Sequence, residues 1–152
     1  MSRSESKYIS RSSAQTKRLA KKILQQLLRK KNRPLILALA GELGSGKTTF
    51  IQGLARALGI HEKIQSPTFV LAKWYRLPKR VNVFRHFIHI DCYRLEKPTE
   101  ARHFNFPALL KDPDAIAVIE WSDRIKRLIP QSAVWLHFKH RTKNSRLITV
   151  KP

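Results

Sequence analysis

The chain has 152 residues, a length that suits one domain with a substantial core. Hydrophobic residues make up 42% of it, as in folded globular proteins, and the single cysteine, Cys92, excludes a framework of intramolecular disulfides. No apolar run approaches the roughly 20 residues that cross a bilayer, and no signal-type apolar segment follows the start. We therefore expect a cytoplasmic protein without membrane contact.

The charge of the chain is strongly positive. The 31 Lys and Arg residues outnumber the 10 Asp and Glu residues, which gives a formal net charge of +21. Basic residues are dense at residues 17–18, 21–22, 29–31 and 139–146. Such a field attracts polyanions, and RNA is the obvious polyanion for a cytosolic protein. The alternative is that proteins of the source organism are basic in general. The composition is compatible with both RNA binding and this general basicity.

The first segment of the chain is polar and rich in serine and arginine. We predict a flexible basic tail over residues 1–12 and a single domain over residues 13–152; a weak organellar presequence is the alternative interpretation of the opening segment. Ser12 and Ser13 are candidate N-caps for a helix that runs to about Lys31, because apolar residues recur there at helical spacing. Lysines and arginines occupy its other face, which is an ordinary solvated face or an RNA-binding one.

A strand, a glycine-rich loop and a second helix follow. The apolar run 35–40 after Pro34 is typical of a buried strand, and Thr48 to Leu58 predicts a helix that ends at Gly59. Between them, residues 41–48 read Gly-Glu-Leu-Gly-Ser-Gly-Lys-Thr, which is the complete phosphate-binding pattern G-x-x-x-x-G-K-[ST]. The backbone N–H groups of such a loop surround phosphate oxygens at a helix N-terminus. We predict that the protein binds a nucleoside triphosphate.

The second half of the chain alternates strands and short helices, without a repeat or a linker. We expect an antiparallel pair of strands joined by a short loop, a short helical region, a second buried strand, a short helix or turn, and a terminal hairpin. Their predicted ranges are 69–75 and 81–90 with the loop 77–80, then 98–110, 115–119, 122–128, and 133–138 with 147–150. The predicted fold is an α/β, P-loop NTPase-like sheet with a parallel core, added antiparallel strands, and helices on both faces.

Two acidic residues are candidates to complete a magnesium site. Asp91 ends the strand 81–90, and Glu120 ends the strand 115–119. An acid at the end of a neighbouring strand meets Mg²⁺ in P-loop proteins, either directly or through water. Acids in this place also cap the helix that follows, so a structural role is the alternative for both.

The histidines and the cysteine do not predict a metal site. His86 and His89 are three residues apart in a strand, which places them on opposite faces, and one cysteine provides no cluster for zinc. Cys92 follows Asp91 directly, so it is either a reactive thiol or, as is more usual for a lone cysteine, a small buried hydrophobe.

Four motifs occur in one order along the chain. They are the phosphate loop extended to Phe50, then Ser66-Pro67-Thr68-Phe69, then His89-Ile90-Asp91-Cys92-Tyr93-Arg94-Leu95, then Ile119-Glu120-Trp121. Over about residues 10–136 the chain resembles the TsaE (YjeE) ATPase family of the tRNA threonylcarbamoyladenosine pathway. Many NTPases share the phosphate loop, whereas the other three motifs in combination are highly specific.

The resemblance implies roles for individual residues around ATP and Mg²⁺. Lys47 would hold the β- and γ-phosphates, Asp91 would orient or activate the attacking water, and Thr68 would lie in a loop that senses the γ-phosphate. Thr48 and Glu120 would bind Mg²⁺. The nucleotide-binding residues would be Thr16, Glu42, Leu43, Gly44, Ser45, Gly46, Lys47, Thr48, Thr49 and Trp121.

The resemblance also implies partners. The protein would be an accessory factor whose ATP hydrolysis resets a complex of TsaB and TsaD homologues, which transfer a threonylcarbamoyl group to an adenosine beside the tRNA anticodon. Direct contact with tRNA through the basic surface does not follow from the resemblance; the charge of the chain leaves it open beside a proteome-wide basicity. Two other functions remain open: a small-molecule kinase on the same fold, with Arg124 and Arg127 as candidate lid arginines, and a basic RNA-binding module with a nucleotide switch.

Overall fold

The computed structural model describes residues 4–65, 71–102 and 104–152. The strands are β1 (Ser6–Ser10), β2 (Leu35–Gly41), β3 (Ala72–Val81), β4 (Phe84–Asp91), β5 (Ala115–Glu120), β6 (Val134–Thr142) and β7 (Ser145–Lys151). The helices are α1 (Ser13–Leu28), α2 (Lys47–Ala57), α3 (Pro98–Arg102), α4 (Phe106–Leu109) and a 3-10 helix at Ser122–Leu128.

One mixed sheet organises this part of the chain, with the strand order β1-β7-β6-β2-β5-β4-β3. Strands β6, β2, β5 and β4 are parallel to one another, whereas β3 pairs antiparallel with β4 on one side, and β7 with β6 and β1 with β7 on the other. The predicted fold class, a parallel core with antiparallel strands, is confirmed. The carboxyl ends of β2, β4 and β5 therefore lie at the same edge of the sheet.

The apolar sequence of β2 explains its central position, because a strand covered on both faces must be hydrophobic throughout. Leu35, Leu37 and Leu39 belong to a core cluster with the buried residues of α1 and α2. Ile36 and Ala38 belong to a second cluster, with residues of α3, α4 and the 3-10 helix. Helices thus cover both faces of the sheet, as predicted. No helix in the described ranges is long and apolar enough to span a bilayer.

The N-terminal segment differs from the flexible tail predicted for residues 1–12. Ser6–Ser10 forms β1, which pairs antiparallel with β7, and Tyr8 lies opposite Ile148 in the register. Ser10 is buried, and its Oγ shares a 2.7 Å hydrogen bond with Oγ1 of Thr16. A mostly polar strand has no hydrophobic signature of its own, because backbone hydrogen bonds to a distant partner hold it.

The antiparallel pair in the middle of the chain is confirmed, but its turn lies further along than predicted. Residues 77–80 are part of β3, and the chain reverses at Asn82, whose φ of 53° is left-handed. The register between β3 and β4 shifts in this stretch, at the side of the sheet, where Pro78 breaks no regular ladder. Residues 69 and 70 of the predicted strand lie outside the described residues.

Two predicted helices also differ from their predicted extents. The first helix stops at Leu28, before the left-handed residue Lys31, rather than at Lys31 itself. The helical region 98–110 consists of two short helices, which a left-handed Asn105 separates. A positive φ interrupts the regular hydrogen bonds of an α-helix, and asparagine adopts it more readily than most residues.

Candidate nucleotide-binding site

The phosphate-binding pattern forms the connection from β2 to α2. Gly44 and Gly46 have φ values of 74° and 100°, which is backbone that side chains with a Cβ rarely adopt. Gly46 is the N-cap of α2 and provides no side chain to cap its first turn. The N–H groups at the start of this 11-residue helix can therefore bind an anion.

Lys47 lies inside this loop, with 4% of its surface exposed. Its Nζ donates to the backbone carbonyls of Gly41 at 2.6 Å and Glu42 at 2.9 Å. Burial lowers the pKa of Lys47, while the carboxylates of Glu120, Asp123 and Asp91 act in the opposite direction. The ammonium group is thus a positive charge in a partly desolvated environment lined by carbonyls. Its electrostatic attraction to an anionic ligand is stronger there than in bulk water.

The hydroxyl of Thr48 meets the carboxylate of Glu120 across the sheet edge. Thr48 Oγ1 donates to Glu120 Oε1 at 2.8 Å, although 72 residues separate the two in sequence. Burial alone would raise the pKa of Glu120, but hydrogen bonds from His89 and Thr48 and the charge of Lys47 hold it below its usual value. Glu120 is therefore ionised at neutral pH, as a metal ligand must be.

His89 is a residue of this site that the sequence analysis missed. It is completely buried, and its Nε2–H donates to Glu120 Oε2 at 2.7 Å, so the two carboxylate oxygens have separate donors. Its Nδ1 is buried without a hydrogen-bond partner among the described residues. The signal was present in the sequence, since residues 89 and 91 lie two apart in β4 and two-residue spacing places side chains on one face.

Asp91 stands directly beside Glu120, because the two are register partners at the ends of β4 and β5. It is buried, and its Oδ1 accepts a hydrogen bond from the backbone N–H of Tyr93 at 2.9 Å. This contact shapes the turn after β4 and is not the helix cap considered as the alternative role, because the next helix begins only at Pro98. The turn contact and the chemical role are compatible, since a carboxylate accepts several hydrogen bonds.

Aromatic rings form one wall of the site. The Trp121 ring lies 5.2 Å from the Tyr93 ring, and Nζ of Lys47 lies 4.1 Å from the centroid of Trp121. The guanidinium of Arg124 lies over both rings, at 5.3 and 5.5 Å, and donates to the carbonyl of Leu95 at 3.1 Å. Arg124 is therefore part of this wall, and nothing in the sequence indicated its contacts with the two rings.

Two cavities meet at the glycine loop. The first, of about 360 Å³, lies beside Lys47, Thr48, Asp91, Glu120 and Trp121. The second, of about 480 Å³, lies on the other side, against β1, the start of α1 and the β6–β7 turn. Both cavities are lined by Gly44, Gly46 and Thr49. Each has the size of a small-ligand site.

The second cavity brings in residues that the motifs did not predict. Thr16, which we assigned to the nucleotide from the resemblance, lines it together with Arg11, Lys143 and Arg146. Arg146 Nη2 also donates to the carbonyl of Gly44 at 3.3 Å, which ties the β6–β7 hairpin to the phosphate loop. These basic residues are far from the loop in sequence, so only the sheet topology brings them to it.

Most of the predicted site residues converge, and a few do not. The residues that line one or both cavities are Thr16, Leu43, Gly44, Ser45, Gly46, Lys47, Thr48, Thr49, Asp91, Glu120 and Trp121. Glu42 contributes its carbonyl to Lys47, while the residue itself is exposed and lines neither cavity. Thr68 lies outside the described residues, and its predicted role stays a prediction.

Two alternatives were open for Cys92, a reactive thiol and a small buried hydrophobe, and the structure agrees with the second. Its side chain is inaccessible and belongs to the second core cluster. Burial, with a contribution from the charge of Asp91, raises the pKa of the thiol to about 12. A thiol in such surroundings is inert at neutral pH.

The parallel core, the glycine loop and the acids at the strand ends define a P-loop NTPase-like α/β protein. A family model for the threonylcarbamoyl adenosine biosynthesis protein TsaE matches residues 10–148. The chain belongs to the TsaE family, which acts in tRNA threonylcarbamoyladenosine biosynthesis, and the resemblance carried by the four motifs is confirmed.

Individual relatives agree with this assignment. TsaE of Rickettsia typhi is 34% identical over 141 residues, which cover 92% of this chain and 90% of the relative. TsaE of Bacillus subtilis is 32% identical over 121 residues, covering 75% and 67%. The crystal structure of Bacillus subtilis YdiB superimposes with a TM-score of 0.69 at 26% identity, covering 97% of this chain and 84% of that one.

Proposed function

We propose that this protein is a Mg²⁺-dependent ATPase that serves tRNA threonylcarbamoyladenosine biosynthesis by resetting a complex of TsaB and TsaD homologues. The single observation that carries the proposal is the hydrogen bond between Thr48 and Glu120, placed beside the buried ammonium of Lys47. Membership of the TsaE family supports the pathway, and the resemblance supports the partners.

The first task of the site is to bind a triphosphate. Lys47 Nζ now donates to two carbonyls, and on binding it exchanges these acceptors for phosphate oxygens of greater charge. The N-terminus of α2 adds backbone N–H donors. The basic side chains of the second cavity, Arg11, Lys143 and Arg146, add positive charge on the side where Thr16 and the nucleoside would lie.

The residues at the strand ends fit a magnesium ion. The donor set consists of the hydroxyl of Thr48 and the ionised carboxylate of Glu120, and hard oxygen ligands of this kind are what Mg²⁺ takes in phosphate sites. When bound, Mg²⁺ would neutralise charge on the phosphate oxygens. His89 holds the second oxygen of Glu120 and so limits rotation of the carboxylate.

Hydrolysis also requires a water molecule in line with the terminal phosphate. Asp91 lines the same cavity as Lys47 and Thr48 and stands next to Glu120 in the sheet. From this position its carboxylate would orient the attacking water, and one of its oxygens also accepts from the N–H of Tyr93.

A partner complex can reach this site directly. Leu43 of the phosphate loop is 75% exposed, and Tyr93 at the cavity wall is 41% exposed. Apolar and aromatic side chains of this kind are typical of the buried parts of protein interfaces. Their position beside the phosphates would allow a partner to respond to the nucleotide state.

The test is to reconstitute tRNA modification with TsaB and TsaD homologues and to follow ATP hydrolysis in parallel. Glu120→Ala should lower hydrolysis and multi-turnover modification about a hundredfold or more, because a metal ion supplies several kcal/mol of charge stabilisation. Glu96→Ala, which removes an exposed acid outside both cavities, is the matched control and should leave both rates unchanged. Full activity of Glu120→Ala would contradict the proposal, and ATP loss that requires a metabolite acceptor would indicate a kinase instead.

A further inference from the structure

A second concave surface lies away from the nucleotide cavities, between α1, the end of α2 and the segment after it. We name it the basic groove; its volume is about 770 Å³. Its charged lining residues are Lys17, Arg18 and Lys21 on α1, Arg56 on α2, and Glu62 and Lys63 on the segment after α2. Five cations thus face a single acid.

Close packing of the two helices holds the walls of the groove in place. A Cβ on Gly53 of α2 would lie 2.7 Å from the Cα of Lys17, so only glycine allows this approach. On the other side, Gln52 Nε2 donates to the carbonyl of Ile64 at 3.1 Å, which ties the segment after α2 to the helix. The cations therefore project from a defined backbone.

The charge of this surface is not balanced locally. No Asp or Glu occurs between Glu5 and Glu42, so α1 contributes only positive charge. Most of the acids of the chain lie instead between Asp91 and Asp123. Within the described residues, the five groove cations form no ion pair. Unpaired, exposed cations in a concave surface focus a positive potential.

We propose that the basic groove binds the phosphate backbone of RNA, and specifically of the tRNA whose modification this family serves. Several Lys and Arg side chains that flank a channel are the usual means of gripping phosphates without reading sequence. The groove lies toward the end of α2 that is away from the phosphate loop: its cation on this helix, Arg56, is roughly 14 Å along the axis from Lys47. RNA and nucleotide can therefore be held together, and the groove does not depend on ATP hydrolysis.

The experiment measures binding of the full chain to an unmodified, fluorescently labelled tRNA transcript, without nucleotide, between 50 and 200 mM salt. Two variants reverse charge on the two walls: K17E/R18E/K21E and R56E/K63E. Each should weaken binding at least tenfold at the lower salt, and the triple variant should reduce the slope of log affinity against log salt by about two to three, because each phosphate contact contributes about 0.7 to 0.9.

The matched control is R85E/K97E/K111E, which makes the same charge change at exposed residues that do not line the groove. It should bind tRNA within about twofold of the wild type. Thermal unfolding checks that all variants fold, and K17Q/R18Q/K21Q replaces the triple variant if that one does not.

Three results would overturn the proposal. If the control weakens binding as much as the groove variants do, the attraction is a diffuse effect of net charge. If only one of the two groove variants weakens binding, the groove is not the site. If the wild type does not bind tRNA at 50 mM salt, the groove does not bind RNA, and an acidic protein is its remaining partner. Since nucleotide is absent, none of these results bears on the ATPase proposal.

Discussion

At the scale of single residues, the site depends on how the carboxylate of Glu120 is held. One oxygen accepts from Thr48 and the other from His89, so its orientation comes from α2 and β4 rather than from its own strand. The carboxylate is buried, and removal of a donor from a buried charge leaves the full desolvation penalty uncompensated. His89 is therefore a positioning residue for the proposed magnesium site.

The replacement of His89 tests this role. His89→Leu should raise the Mg²⁺ concentration needed for half-maximal thermal stabilisation by ATP about 10- to 100-fold, as is typical when a group that orients a metal ligand is lost. His89→Gln, whose amide keeps a donor, should recover part of the loss. His86→Leu is the control, because His86 lies on the same strand as His89 but contacts Asp112, in the segment before β5, and makes no hydrogen bond to Glu120. An unchanged Mg²⁺ requirement in His89→Leu would contradict the role.

Cys92 allows a second test at this scale, with a simple readout because the chain has no other cysteine. Burial raises the pKa of the thiol to about 12, so almost none of it is thiolate at pH 8. Iodoacetamide should leave the native protein unlabelled at pH 8 and label it completely in guanidinium chloride, as mass spectrometry will show. Rapid labelling of the native protein would mean that the thiol is accessible and reactive.

At the scale of secondary-structure elements, the contact between α1 and α2 connects the two proposed sites. Helix α2 begins at the phosphate loop and ends at the basic groove, and α1 reaches the second nucleotide cavity with Thr16 and the groove with Lys17. The backbones approach closely at Gly53. The relative placement of the two helices therefore affects both the second nucleotide cavity and the basic groove.

Gly53→Ala measures how firmly this contact is constrained. Alanine favours an isolated helix by about 1 kcal/mol over glycine, but the added Cβ would meet backbone atoms of Lys17, which cannot move alone. We expect the variant to lose about 1 to 3 kcal/mol in the free energy of unfolding by urea, as overpacked cores do. Arg56→Ala, at an exposed position of the same helix, should change it little. A stabilised Gly53→Ala would show that the helices separate easily.

At the scale of the whole molecule, the sheet joins the two ends of the chain. β1 pairs with β7, and β7 pairs with β6, which lies beside the strand of the phosphate loop. Ser10 at the end of β1 also contacts Thr16 in the second cavity. The N-terminal segment thus supports both the sheet and the nucleoside side of the proposed site.

Removal of residues 1–11 tests this contribution. The deletion exposes the outer edge of β7 and should lower the free energy of unfolding by about 2 to 4 kcal/mol, since each lost backbone hydrogen bond contributes about 1 kcal/mol. Removal of residues 1–4 leaves β1 intact and should have little effect. Equal stability of the two truncated proteins, measured by urea unfolding, would show that β1 does not stabilise the sheet.

The local pattern of residues was sufficient for the central unit of this protein. An apolar strand, the glycine loop with Lys47 and Thr48, and an amphipathic helix are contiguous, so the sequence alone determined that unit. The family followed from three further motifs along the chain. The acids Asp91 and Glu120 were also recognisable, because each follows a strand of apolar character. Interactions among near neighbours in sequence leave a periodic signal, and such signals can be read without the fold.

The remaining features were decided only by the tertiary structure. The pairing of β1 with β7, the contact of His89 with Glu120 and the basic groove each join residues that are distant in the chain. A polar strand has no periodicity that distinguishes it in sequence. The two-residue spacing of His89 and Asp91 indicates a shared face of β4 but not the contact of His89 with Glu120 on the neighbouring strand. Their positions follow from strand order and from the packing of α1 on α2, because these alone determine which distant residues meet.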